Sequence, residues 1–101
     1  MHENRQHARK PLLYDVGFQV DNGPRIAAGC RDCSLGGMFI QTARPARYGA
    51  PVKVFLKLPG LDHETVIPST VRWSQQDGMG VQFGLMGVRE THALLQILGH
   101  N

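Results

Sequence analysis

The fold class is decided by residues 52–58, which read Val52-Lys53-Val54-Phe55-Leu56-Lys57-Leu58. Aliphatic side chains occupy every second position, and two of the three positions between them are lysines. In an extended chain alternate side chains point to opposite faces, so this period of two is typical of a half-buried β-strand. Pro59 and Gly60 follow and predict the end of the strand.

Weaker versions of the same pattern lie before this stretch. Three strands are predicted, with alternating or apolar positions at Tyr14, Val16, Phe18 and Val20, at Ile26, Ala28 and Cys30, and at Met38 to Ile40. A turn is predicted at residues 21–24 and a break at residues 34–37, because both stretches are rich in the residues that turns use. Residues 42–50 are predicted to form a loop.

Two more strands and a helix are predicted after it. Residues 65–74 are rich in β-branched types, and Pro68 within them suggests a sheet edge or a bulge. After a turn at residues 76–78, alternation resumes at Met79, Val81 and Phe83. The period then becomes helical, and Gly99 is well placed to end the helix, whose stripe consists of Val88, Thr91, Leu94, Leu95 and Leu98.

Six short strands separated by turns predict an all-β fold, a small antiparallel barrel or sandwich. The 101 residues leave room for one domain. Residues 1–11 are polar and charged, and we expect a flexible arm there, followed by a barrel domain over residues 12–99. Because a barrel this small fills with its own side chains, we expect any ligand on the outer surface.

Charge and hydropathy exclude several classes of protein. The net charge of +3, from 11 Lys+Arg against 8 Asp+Glu, is mildly basic, and the basic residues form no long stripe suited to a nucleic-acid duplex. No apolar run reaches the roughly 18 residues of a membrane span. The first residues lack the apolar stretch of a signal peptide. We therefore expect a soluble, cytoplasmic protein.

Two groups of residues carry ligand-binding chemistry. Arg5 and Arg9 are spaced by three residues, and a guanidinium can fork onto phosphate or guanine and stack on a purine. Asp32 can accept hydrogen bonds from the N–H and NH₂ groups of guanine, and Ser34 can donate one to a phosphate. Gly37 permits a close approach of backbone to ligand or a positive φ.

These residues resemble the two motifs of PilZ domains. Arg5-Gln6-His7-Ala8-Arg9 is similar to R-x-x-x-R, and Asp32-Cys33-Ser34-Leu35-Gly36-Gly37 is similar to [D/N]-x-S-x-x-G. Their order and separation make the pair more specific than either motif alone. Val71-Arg72-Trp73 and Gly80-Val81-Gln82-Phe83 resemble the later strands of the family.

The resemblance implies a six-stranded antiparallel PilZ-type barrel that binds cyclic di-GMP. It implies that Arg5 and Arg9 clamp guanine and phosphates. It further implies that Asp32 and Ser34 contact base and phosphate, with Gly37 giving backbone access. Trp73 occupies a position where family members often carry an aromatic residue near the ligand.

The resemblance also leaves several properties of the ligand complex open. Asn4, which precedes the first motif arginine, leaves open whether one or two ligand molecules bind. Motility, surface polysaccharide and biofilm are the processes the family commonly controls.

Structural explanations of the same residues stay open at this point. An arginine pair on a charged arm can be merely solvated, residues 34–37 can be an ordinary turn, and Trp73 can be core because its parity matches that of Val71. Cys30 and Cys33 have C-x-x-C spacing, but a zinc site needs about four ligands and no second such pair exists. We predict no metal site and no cofactor.

The functional expectation is a stand-alone receptor rather than an enzyme. A triad of Ser34, His7 and Asp32 is disfavoured because no nucleophile elbow is present and the histidine lies on the arm. We expect closure of the arm over cyclic di-GMP to create a surface for an unidentified protein partner. The alternatives are a PilZ-like adaptor that binds no nucleotide and a small basic barrel that binds single-stranded nucleic acid.

Overall fold

The computed structural model describes residues 10–58 and 60–99, with side chains from Asp15 onward. These residues form six strands and one helix: β1 (Lys10–Val20), β2 (Arg25–Ser34), β3 (Gly37–Gln41), β4 (Pro51–Leu56), β5 (Thr65–Gln75), β6 (Gly78–Phe83) and α1 (Val88–Ile97). The six predicted strands and the C-terminal helix are confirmed. No helix among the described residues has the length and hydropathy of a membrane span.

The strands close into an antiparallel barrel in the order β1-β2-β3-β6-β5-β4. Pairing of β1 with β4 joins the two ends of the sheet, with Gly17 opposite Phe55 and Val20 opposite Val52. Closure removes the unpaired edges that would otherwise be open to another chain. The all-β, barrel-type fold class predicted from the alternating pattern is therefore confirmed, and the sandwich is not formed.

A single cluster of buried side chains fills the barrel. It includes the inward positions of β4, namely Val52, Val54 and Leu56, as their alternation predicts. Ala93 and Leu94 of α1 belong to the same cluster, so the helix packs on the barrel through its apolar stripe. Because this interior is occupied, the outer surface is the place for a ligand.

Strand boundaries differ from the predictions in β1 and in β4, which ends at Leu56 although its alternation continues to Leu58. β1 begins at Lys10, because Lys10 pairs with Cys33 and Pro11 with Asp32, so residues 10 and 11 extend the strand rather than the arm. β2 ends at Ser34, so Asp32 and Ser34 lie at the end of a strand as predicted. The predicted break at residues 34–37 is thus a tight turn between β2 and β3.

The expectation that Pro68 marks a sheet edge or a bulge is wrong. β5 lies between β4 and β6, and Pro68 is in register with Lys53. Its carbonyl accepts a hydrogen bond from the N–H of Gly84, beyond the last residue of β6. The N–H and C=O of a strand residue face the same neighbouring strand. The N–H that proline lacks would therefore face β6 beyond its last residue, so no hydrogen bond between β5 and β6 is lost.

Three register shifts interrupt the strand pairing, and the first lies between Pro11 and Tyr14 in the β1–β2 pair. The other two are β-bulges that change the alternation of side chains. Register shifts occur between Cys30 and Asp32 in the β2–β3 pair and between Val71 and Trp73 in the β5–β6 pair. Each inserts one extra residue, Arg31 in β2, which reverses the face of the residues that follow. Cys30 and Cys33, three positions apart, are therefore both buried in the core.

Candidate functional site

Arg31 and Asp32 both lie on the outer face of the barrel as a result of the bulge in β2. Nε of Arg31 is 3.7 Å from Oδ2 of Asp32, and the two side chains are 43% and 26% exposed. The guanidinium carbon of Arg31 lies 3.9 Å from the centroid of the Phe39 ring. The acidic residue of the second motif is thus presented at the surface beside a cation that sequence reasoning did not select.

The β2–β3 turn is held by the side chain of Ser34. Its buried Oγ accepts a hydrogen bond from the N–H of Gly36 at 3.2 Å and donates one to the carbonyl of Gly37 at 3.5 Å. This agrees with the structural explanation of the motif serine. Its predicted contact with phosphate stays a prediction, which requires the hydroxyl to exchange its carbonyl partner for the ligand.

Close packing between β3 and β6 explains why position 37 is a glycine. Its φ is not positive, so that part of the expectation is wrong. A Cβ at this position would overlap the carbonyl oxygen of Val81 on β6. The absent side chain allows β3 and β6 to pair at this point, where Gly37 lies opposite Gln82.

A row of residues crosses the outer face next to this turn. Pro11 pairs with Asp32, Asp32 with Phe39, Phe39 with Gly80, and Gly80 with Trp73. The row runs from the first residues of β1 across β2, β3 and β6 to β5. Asp32 and Trp73, predicted from different parts of the sequence, therefore lie on one continuous surface.

The reading of Trp73 as a core residue is wrong. The bulge after Val71 turns the indole outward, where it is 51% exposed and lies 5.5 Å from the Phe39 ring, measured between centroids. The indole also covers Gly80, because a Cβ there would lie 3.0 Å from Cε3 of Trp73. Its position fits the ligand contact implied by the resemblance, which stays a prediction.

The two cysteines are buried and hydrogen-bonded. Sγ of Cys30 donates to the carbonyl of Asp32 and Sγ of Cys33 to the carbonyl of Ser34, both at 3.4 Å. The part of the chain that the structure describes contains no cluster of three or more histidine, cysteine or carboxylate side chains suited to a metal ion. The core reading of Cys30 is confirmed.

Arg5 and Arg9 lie outside the described residues. The structure describes the start of β1, where Lys10 pairs with Cys33 of β2 and Pro11 pairs with Asp32. The strand that follows the arginine motif in the sequence therefore begins against the strand that carries the second motif.

The comparison with protein families decides the identity of this barrel. The model of the PilZ domain matches residues 3–99, which is nearly the whole chain and includes both motifs. The chain belongs to the PilZ domain family. No curated protein matches the sequence.

Solved structures of other proteins, one of them named as a PilZ domain, have the same fold. The PilZ domain of CeSA from a cellulose-synthesizing bacterium is 17% identical with a TM-score of 0.71, over 89% of this chain and 93% of that one. The Bacillus subtilis inhibitor of motility MotI/DgrA is 22% identical with a TM-score of 0.73, over 95% and 50% of the two chains. The K. pneumonia MrkH–c-di-GMP complex is 17% identical with a TM-score of 0.70, over 96% and 51%. The chain thus spans about half the length of the last two.

Three residues on the outer face beside Asp32 and Trp73 were not predicted from the sequence, namely Arg31, Phe39 and Gly80. Phe39 was assigned only to a strand. Arg31 carried a signal, because the adjacent charges of Arg31 and Asp32 interrupt the alternation between Cys30 and Cys33. Gly80 carried a usable signal, because glycine inside a strand often marks a close approach of another group. Here that group is the indole of Trp73.

Replacing Gly37 by alanine tests the packing role of the motif glycine. We expect Gly37→Ala to lower the free energy of unfolding by about 2–3 kcal/mol, because the added methyl group meets backbone that has no room to yield. Urea unfolding measures the change. Gly29→Ala on β2 is the control, since a Cβ there meets only Gln41 Oε1 at 3.8 Å. Equal stability of the two variants would contradict the packing role.

Proposed function

We propose that this PilZ domain binds cyclic di-GMP on the outer face of its barrel, between Arg5 and Arg9 on one side and the turn formed by residues 32–37 on the other. One observation carries the proposal: Pro11 at the start of β1 pairs with Asp32 of β2. Residues two positions after the arginine motif therefore neighbour the acidic residue of the second motif. This proximity supports a single site built from both motifs.

The chemistry of the site suits a guanine nucleotide with negative phosphates. The carboxylate of Asp32, whose side chain is about one quarter exposed, can accept hydrogen bonds from the N1–H and NH₂ groups of guanine, which adenine cannot offer in this arrangement. Arg5 and Arg9 supply forked donors for phosphate and for guanine O6 and N7. Trp73 offers an exposed indole on which a base can stack.

Membership of the family supports the ligand class. The K. pneumonia MrkH structure is a complex with c-di-GMP, and it shares the fold of this chain at a sequence identity too low to transfer residue roles. The residues of this chain must therefore carry the assignment. Both motifs are complete, which favours a binding-competent domain over one that has lost its ligand.

Signalling follows from ordering of the arm. We propose a cytoplasmic receptor and adaptor, not an enzyme: ligand contacts with Arg5 and Arg9 hold residues 1–9 against the barrel and form a surface for a protein partner. Fixing these residues costs conformational entropy, which the phosphate and guanine contacts must exceed. The alternative, an adaptor without nucleotide, predicts partner binding that is the same with and without cyclic di-GMP.

Calorimetric titration with cyclic di-GMP tests the site directly. We expect heat of binding with the unaltered protein, and dissociation constants raised at least tenfold by Arg5→Ala, Arg9→Ala and Asp32→Ala, because each removes a charged hydrogen-bonding partner. Lys53→Ala is the control, since Lys53 is an exposed residue of β4 that belongs to neither motif. The absence of heat at tens of micromolar would refute the proposal.

Trp73 provides a second, optical test. It is the only tryptophan in the chain, so its emission reports on one position. We expect saturating cyclic di-GMP to quench or shift the emission through stacking on the indole. Cyclic di-AMP is the control, because it lacks the guanine groups that Asp32 accepts and should leave the emission unchanged at the same concentration. Identical responses to both nucleotides would contradict guanine recognition by Asp32.

A further inference from the structure

Arg31 lies at the centre of the outer surface, although it belongs to neither motif. Its guanidinium stacks over the ring of Phe39 at 3.9 Å and its Nε lies 3.7 Å from Oδ2 of Asp32. These two contacts favour one orientation of a long side chain. A pre-oriented guanidinium loses little conformational entropy when it meets a ligand.

The surface beneath this guanidinium is aromatic. Phe39 is only 1% exposed, yet it is not part of the cluster that fills the barrel, whereas its neighbours Met38 and Ile40 are. Its ring therefore points outward and is buried by groups on the surface. Arg31 and Trp73 both contact it, so guanidinium, phenyl ring and indole form one adjoining set of planar groups.

Both ends of this set remain accessible. The side chain of Arg31 is 43% exposed, and Trp73 is 51% exposed. A planar purine can stack on a guanidinium, and the stack is stronger where the cation is already desolvated on its other side. Arg31 also adds a positive charge to a surface that would receive two phosphates.

We propose that Arg31 is a third arginine of the ligand site, and that a guanine of cyclic di-GMP stacks on its guanidinium, opposite Phe39, while Asp32 accepts hydrogen bonds from the base. This inference rests on the proposed function. It assigns to the residue before the second motif a direct contact with the ligand. The bulge in β2 is what makes the contact geometrically available, since it turns Arg31 and Asp32 to the same face.

The chain contains a matched control for this arginine. Arg25, also on β2, lies over the Phe55 ring at 4.2 Å and is paired with Glu64. Its side chain is 50% exposed, close to the value for Arg31. Arg25 has the same chemistry at the other end of the strand, beside β1 and β4, away from Asp32.

The experiment compares Arg31→Met with Arg25→Met by calorimetric titration with cyclic di-GMP. We expect Arg31→Met to raise the dissociation constant at least tenfold, about 1.4 kcal/mol, and Arg25→Met to change it less than twofold. Arg31→Lys should bind nearly as weakly as Arg31→Met, because lysine keeps the charge and loses the planar group. Unaltered affinity of Arg31→Met, or full affinity of Arg31→Lys, would overturn the stacking role.

A double-mutant comparison separates direct contact from positioning of Asp32. Asp32→Asn keeps an acceptor that the family motif permits, so we expect measurable binding in this background. If Arg31 touches the ligand, Arg31→Met should weaken binding several-fold further in Asp32→Asn; no further loss would mean that Arg31 acts only through Asp32 and would overturn the proposal.

Separate measurements test whether each variant folds and whether the unaltered protein binds the ligand at all. Circular dichroism melting confirms that each variant folds, and Arg31→Gln replaces Arg31→Met if the methionine variant does not. Absence of binding by the unaltered protein would refute the proposed function itself. Binding by the unaltered protein with no loss in a folded Arg31 variant would refute only the role of Arg31.

Discussion

The β-bulge at Arg31 is the constraint on which the outer surface of this barrel depends. In a regular strand, consecutive side chains alternate between the filled interior and the outside, so Arg31 and Asp32 could not both face solvent. One extra residue in the β2–β3 pair places both outside and leaves Cys30 and Cys33 inside. A charged residue facing the apolar interior would carry a desolvation penalty of several kcal/mol, so the bulge also makes this charged sequence compatible with the barrel.

Glycines on β6 make room for the aromatic groups on this surface. A Cβ at Gly78 would lie 2.5 Å from Cζ of Phe39, and one at Gly80 would lie 3.0 Å from Cε3 of Trp73. The two aromatic side chains therefore pack closely over the backbone of β6, with their rings tilted by 56° to each other. Their packing covers backbone that glycine would leave exposed, while Trp73 keeps 51% of its surface exposed.

The proposed site has a fixed part on the barrel strands and a second part that precedes β1 in the sequence. The fixed part consists of the Ser34 turn and the row from Asp32 to Trp73, held by strand pairing on β2, β3, β6 and β5. The other part is the arginine pair that precedes β1. Under the proposed function, a ligand that joins the two parts couples binding to a change in the accessible surface.

The sequence by itself determined the strand content, the approximate strand positions, the closing helix and the two motifs. Alternation in residues 52–58 reports which face of a strand is buried, and this depends only on local side-chain order. The side of the barrel on which each motif residue lies was decided by tertiary structure. Trp73 has the parity of Val71 and reads as core, but a bulge formed with β6 turns it outward. Arg31, Phe39 and Trp73 meet only because β2, β3, β6 and β5 are neighbours in the closed sheet, and such pairing between distant segments leaves no signature in local periodicity.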